Sequence, residues 1–382
     1  SSERIILPCR SSGHINLNLY HPRRAGSRSN VLLYLPRGPL LDNSQHEAAI
    51  IATLRSQLDC FIVKVDYRLS SRHRYPGPVH DVLAGYDWVL RNLASRGAPD
   101  RPNGGTRIAV FGELIGGGLA TSLALTECRV GELGICAAAV NNPIVDWMSL
   151  NASPDPKAAS QTGTPDHTTD VINMRSQVLA KAAADLDPFA SPILFFRSSG
   201  AEVPPPPSDD ATMDDMQRLT LIEREQFEKE QAAKKQAENA RLSSCQTSEP
   251  ATSESGLKTY TKKSRNFPGR RAGLHLPQFH VSTGAASPFL QQAQELSTLL
   301  RQSVVRQARY AVQGRDFGRK DPLDDEDNAT DREEVQTLRE LRRDAETKVL
   351  LCRHERLALW GDPATDPQSL LETCVWLRSR LG

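Results

Sequence analysis

The stretch Arg107–Glu127, RIAVFGELIGGGLATSLALTE, decides how the rest of the chain is read. It runs as a short apolar strand, a tight glycine turn and a helix. Its spacing is that of G-x-S-x-G, in which a sharp strand-to-helix turn lifts a nucleophile above a parallel sheet. The nucleophile position holds Leu114, flanked by Gly112, Glu113, Ile115 and Gly116. A leucine has no lone pair with which to attack a carbonyl, whereas the glycines serve a backbone need, letting the strand turn tightly and pack beside its helix. They do not read G-x-G-x-x-G, and no Lys-Ser/Thr pair follows, which argues against a phosphate-cradling loop.

Working outward, VLLYL (Val31–Leu35), CFIVKV (Cys60–Val65), IAVF (Ile108–Phe111) and ICAAAV (Ile135–Val140) are continuous apolar runs. Such runs suit strands buried on both faces of a helix-covered parallel sheet. INLNLY (Ile15–Tyr20) alternates instead and predicts a half-exposed strand near the sheet edge. Between the runs, Val82, Leu83, Tyr86, Val89 and Leu90 share a helical face after YPGP, with Asp81 as the expected N-cap. The order βαβαβ predicts a doubly wound α/β sheet.

The same rhythm returns late in the chain. FHVST (Phe279–Thr283) precedes a helix striped by Leu290, Ala293, Leu296, Leu300 and Val304. KVLLC (Lys348–Cys352) leads to a last helix, with Asp366 as N-cap, Pro367 at its first position and Leu370, Leu371, Cys374, Val375 and Leu381 expected to face inward. The middle is different in composition: PPPP at Pro204–Pro207, then a stretch from Asp209 to Arg241 dominated by charge, Gln and Ala, expected to be a solvated, partly disordered excursion. The expected organisation is a core segment 1–146, a cap or insertion 147–275 holding the charged segment 204–271, and a closing core segment 276–382. The closing segment carries an acidic insertion at about 313–343, read as a solvated loop over Asp321–Glu334.

The 382 residues can bury a substantial core, and a net charge of +1 provides no global attraction to nucleic acid or membrane. Seven cysteines without a C-x-x-C pair fit reduced, buried thiols of an intracellular protein, in the cytoplasm or an organelle such as the mitochondrion, better than a disulfide scaffold or zinc site. No apolar run approaches membrane-spanning length, and neither cofactor nor metal is implied.

VDYRLSSRHRYPGPVHDVLAGYDWVLRNL (Val65–Leu93) carries a second long pattern. Asp66, Tyr67, Arg68, Leu69, His73, Tyr75, Pro76, Asp81 and Val82 follow D-Y-R-L-A-P-E-H-x-F-P-A-A-x-x-D-V. With the Gly112–Gly116 turn, this resembles the hormone-sensitive-lipase/carboxylesterase-like branch of the α/β-hydrolase fold, most closely over Glu3–Asp146. The resemblance implies a mostly parallel sheet flanked by helices, and an ester-hydrolysing site needing an elbow serine, a histidine, a carboxylate and oxyanion donors. The serine position is Leu114. The H-G-G-G positions hold Pro36, Arg37, Gly38 and Pro39, and a proline has no N–H to donate. The carboxylate position holds Ser287 and the histidine position Leu359, with His354 nearby as an alternative base.

All four functions being altered together, the resemblance implies a pseudo-hydrolase acting as a scaffold or assembly subunit with a protein partner, or binding a small apolar ligand in the inherited pocket. Two rivals stand beside it. One is a carboxylesterase with relocated residues; the other is contact with RNA through the basic segment 258–271, where Lys258, Lys262, Lys263, Arg265, Arg270 and Arg271 occur without an acid. Ser122 is expected to be packed, His80 to lie at the surface or cap a helix, and Asp146 to cap a turn or line the former pocket.

Overall fold

The computed structural model describes residues 2–9, 13–24, 30–38, 44–94, 105–151, 175, 178–179, 187–199, 264–316, 329–362 and 367–382. The charged stretch Asp209–Arg241, the residues Lys258, Lys262 and Lys263, and the positions Pro39 and Asp366 lie outside them.

Among the described residues eight strands form one sheet: β1 (Ser2–Pro8), β2 (His14–Tyr20), β3 (Val31–Leu35), β4 (Phe61–Asp66), β5 (Ile108–Glu113), β6 (Ile135–Asn141), β7 (Gln278–Gly284) and β8 (Val349–His354). Their order is β1-β2-β4-β3-β5-β6-β7-β8. The pairs β1–β2 and β2–β4 are antiparallel, and from β4 onward all are parallel. Each predicted strand is present within two residues at either end. The alternating INLNLY segment is β2, second from the edge, with alternate residues buried.

Helices cover both faces, which is why the parallel strands read as unbroken apolar runs. Val31, Leu33 and Leu35 point into the core shared with α2 (Gly77–Asn92), α3 (Ile115–Thr126) and α4 (Leu290–Asp316). Leu32 and Tyr34 point the other way, into the core shared with α1 (Ser44–Gln57) and α6 (Pro367–Leu381). The predicted α4 stripe is buried at Ala293, Leu296, Leu300 and Val304.

Four expectations need correction. Asp81 does not cap α2, which starts at Gly77 with Pro76 before it and Pro78 in its first turn, where a missing N–H costs no bond. Asp81 sits inside the helix instead, buried, where Oδ2 accepts from the backbone N and Nε of Arg68, each at 2.9 Å, and Oδ1 accepts from Nη2 at 2.7 Å. The Arg68 and Asp81 of the long motif therefore join the end of β4 to α2. Leu371 and Val375 face outward, 43 % and 62 % exposed, and Trp376 and Leu377 fill the inner face of α6 beside Leu370, Cys374 and Leu381. A stripe of i, i+3 and i+4 apolar residues wider than the contact necessarily leaves some of its members outside. Finally, the segment read as an acidic loop becomes helical from Ala329, because α5 (Ala329–Lys348) runs straight into β8.

Candidate active site

β5 ends at Glu113 and α3 begins at Ile115, so Leu114 alone makes the turn, with φ 53° and ψ −115°. That combination lies outside the regions ordinarily open to a residue with a side chain. Surrounding structure imposes it. The Leu114 N–H donates to the Asn141 carbonyl at 3.0 Å, and the Leu114 carbonyl accepts from Gly118 N at 3.0 Å and Ile144 N at 3.1 Å. A Cβ on Gly112 would lie 2.3 Å from the Gly116 carbonyl oxygen, and one on Gly116 would lie 2.2 Å from that of Pro36. The glycines are there because backbones approach too closely for any side chain. The Leu114 side chain is 7 % exposed and belongs to the core on the α2–α3 side of the sheet.

The positions singled out in the sequence lie after the carboxyl ends of β3, β5, β7 and β8, along one edge of the parallel sheet. After β3, the Arg37 side chain turns inward and its Nε pairs with Oε2 of Glu113, both groups being buried. Arg37 Nη2 donates to the Trp360 carbonyl, and Nη1 lies 3.2 Å from Nδ1 of His46. Burial works against the Arg37 charge, but the Glu113 carboxylate beside it outweighs burial and holds the guanidinium above its ordinary range. The Pro36 carbonyl accepts from the Tyr67 hydroxyl at 2.7 Å. Gly38, at φ +113°, lets the chain pass Ile115 and Tyr67, whose nearest atoms would each be 3.3 Å from a Cβ there.

Glu113 Oε1 accepts from Asn141 Nδ2 at 2.7 Å and from Trp360 N at 2.8 Å. Asn141 also donates to the Ala358 carbonyl at 2.6 Å and accepts from Ser282 Oγ at 2.7 Å. Its neighbour Asn142 donates to the Leu357 carbonyl at 2.9 Å and accepts from Thr283 Oγ1 at 2.9 Å. These bonds knot β5, β6 and β7 to the loop after β8. Asn141, Asn142 and Trp360 were not singled out from the sequence, although the NNP that ends an otherwise apolar strand was the available signal.

Ser287 follows β7 as expected, and its hydroxyl accepts from Phe289 N at 3.2 Å just ahead of α4, the geometry of a local turn. Leu359 lies in the loop after β8 and packs against the α2–α3 side core. His354 is the last residue of β8, paired with Gly284. Strand alternation puts its side chain on the face of Leu350 and Cys352, the α6 side, where Cys352 Sγ lies 3.4 Å from His280 Nε2 and His280 packs on Trp376. Leu114 belongs to the other face. Among the remaining candidates, Ser122 is buried and donates to the Phe189 carbonyl at 3.0 Å, and His80 is exposed on α2. Asp146 caps its turn by accepting from Met148 N and Ser149 N, and pairs with Arg197 at 2.8 Å. Among the described residues no group of three metal-ligating side chains occurs, and no helix is long and apolar enough to cross a membrane.

A family model for the alpha/beta hydrolase fold matches residues 38–207. An arylesterase of Saccharolobus solfataricus is 26 % identical over 135 residues, 35 % of this chain and 41 % of that protein. Human arylacetamide deacetylase-like 2 is 30 % identical over 128 residues, 32 % of this chain and 31 % of that protein. The matched segments thus span less than half the length of these curated relatives. Among solved structures, the carboxylesterase EstE1, cloned from a metagenomic library, superposes with a TM-score of 0.56 at 16 % identity, covering 100 % of this chain and 90 % of that one. A Pyrobaculum calidifontis esterase gives 0.54 at 17 % identity, covering 99 % and 85 %. Sheet order, elbow conformation and the partial sequence match agree: the chain has the α/β-hydrolase fold and is similar over part of its length to esterases and carboxylesterases of that fold.

Proposed function

We propose that this chain is a non-catalytic member of the fold, acting as a scaffold or assembly subunit for a protein partner. The observation that carries this reading is Leu114: it occupies the nucleophile's position in the nucleophile's backbone conformation, with its side chain packed into the core. Three further placements support it. Arg37 is committed to Glu113, Ser287 to a turn, and a leucine stands at the histidine position. Losing triad members removes on the order of 10⁴ to 10⁶ in rate, and a weakened oxyanion site a further 10² or so.

The decisive test measures turnover of short acyl esters and labelling by a serine-directed phosphonate, for the unaltered chain and for Leu114→Ser. Neither protein is expected to show turnover above buffer, and neither to be labelled. Ester turnover that survives in the unaltered chain would instead establish the rival, an esterase with relocated residues, which the names of the relatives favour. For the scaffold role itself, purification from the native source should recover a stoichiometric protein partner. Recovery as a lone monomer, with melting raised by small apolar esters, would favour the ligand-binding form.

The RNA reading draws less support. Arg265 donates to the Leu194 carbonyl at 3.2 Å, and Arg270 lies over the Tyr310 ring at 5.7 Å, so both are engaged within the chain.

A further inference from the structure

At the end of the sheet opposite Leu114, the amino ends of β6, β7 and β8 open onto a groove of about 510 Å³. Its walls include Cys128, Arg129, Glu132, His275, Gln278 and Lys348. The candidate site around Leu114, at the carboxyl ends of the strands, uses none of them. Lys348 is the last residue of α5 and Val349 the first of β8, so its backbone is fixed from both sides. Its Nζ lies 3.0 Å from His275 Nε2.

An ammonium can only donate, so the ring nitrogen facing it is the unprotonated acceptor. Among the described residues no carboxylate pairs with Lys348. A half-buried ammonium whose polar neighbour is another base lacks the counter-charge such groups ordinarily have. The environment reflects this: burial and then the Lys348 charge push the His275 imidazole below its usual range, and burial pushes Lys348 below its own. The groove adds Arg129 at its wall and an apolar lining from Ile135, Leu276 and Pro277. Glu132 also lines the groove, and its negative charge disfavours an extended polyanion there.

We propose that this groove binds a small ligand through one oxyanion group, a phosphate, sulfate or carboxylate, which accepts a hydrogen bond from Lys348 and, when the imidazole is protonated, a second from His275. Lys348 from α5 faces His275 directly, and the other charged and titratable groups lining the groove are Cys128, Arg129 and Glu132 from the turn after α3 and Cys136 from β6. An anion between the two nitrogens favours the protonated imidazole, so affinity rises as pH falls through the ordinary histidine range and is weaker above it.

Sulfate serves as the probe because its charge is constant across that range. Titrated calorimetrically into the full chain, it should show one saturable site, tighter on the acid side. Lys348→Met should weaken binding by roughly tenfold or more, the scale of one charge-assisted hydrogen bond. Lys348→Arg, which keeps the charge, should retain binding and so controls for folding. His275→Gln should still bind but lose the gain on acidification. Absence of a saturable site in the unaltered chain, or equal binding by Lys348→Met, overturns the proposal.

Discussion

Leu114 shows how a turn's backbone geometry can be set independently of the side chain that sits on it. Its backbone is held by three hydrogen bonds to neighbouring segments, and its side chain is free to pack because nothing in those bonds involves it. Glu113, one residue earlier, is more tightly committed. Its carboxylate is 1 % exposed and accepts from Arg37, Asn141 and the Trp360 backbone. Removing one partner of a buried pair leaves a desolvated charge behind, a loss of roughly 3–5 kcal/mol, whereas removing both leaves none. Arg37→Met is therefore expected to lower the urea midpoint strongly, and Arg37→Met combined with Glu113→Gln to lower it by less than the sum of the two single changes. Additive losses would show that the two groups do not act as a pair.

At the scale of elements, the elbow is a crossing of backbones. Gly116 lies against the carbonyls of Leu35 and Pro36, so the end of β3 and the start of α3 touch without side chains between them. Gly116→Ala would force these apart, with an expected cost of about 3 kcal/mol, at the upper end of overpacking. Equilibrium denaturation checks it, and an unchanged midpoint would mean that the close approach is not maintained in solution. The loop after β8 is fastened from the other side. Trp360 is fully buried, stacks on Phe111 at 4.1 Å between ring centres and donates through Nε1 to Ser369 at 3.2 Å. Trp360→Ala should cost roughly 3–5 kcal/mol and, by hydrogen exchange, loosen the loop around Leu357–Leu359 before the sheet.

For the whole molecule, stability should depend on pH through His280, which lies in β7 beneath α6. Burial first, and then the nearby His354, push its imidazole down to about 4. In the unfolded chain the same ring titrates near the ordinary value of about 6.5, so between these pH values the unfolded state binds a proton that the folded state does not. Folding is therefore favoured in full above about 6.5 and loses roughly 1.4 kcal/mol per pH unit on acidification down to about 4. His280→Phe removes this titration and should flatten that part of the profile relative to the unaltered chain. Parallel profiles for the two proteins would contradict the assignment.

Much of this molecule was legible in the chain itself. Seven of the eight strands announce themselves as apolar runs or alternation, because a strand buried on two faces has no polar register to hide behind. Order along the chain fixes which strand end a loop follows, so Leu114, Ser287 and Leu359 come after β5, β7 and β8. Whether Leu371 and Val375 face in or out, whether Asp81 caps a helix or holds Arg68, and which face His354 takes all depend on what packs opposite. The same is true of the knot of Arg37, Glu113, Asn141 and Trp360: these residues are spread over more than 320 positions, and only the folded sheet puts them within hydrogen-bonding reach. The sequence alone determined the fold and the strand–turn–helix that puts Leu114 between β5 and α3. Only the tertiary structure decided what surrounds that turn, because a buried polar group is defined by partners that no local pattern records.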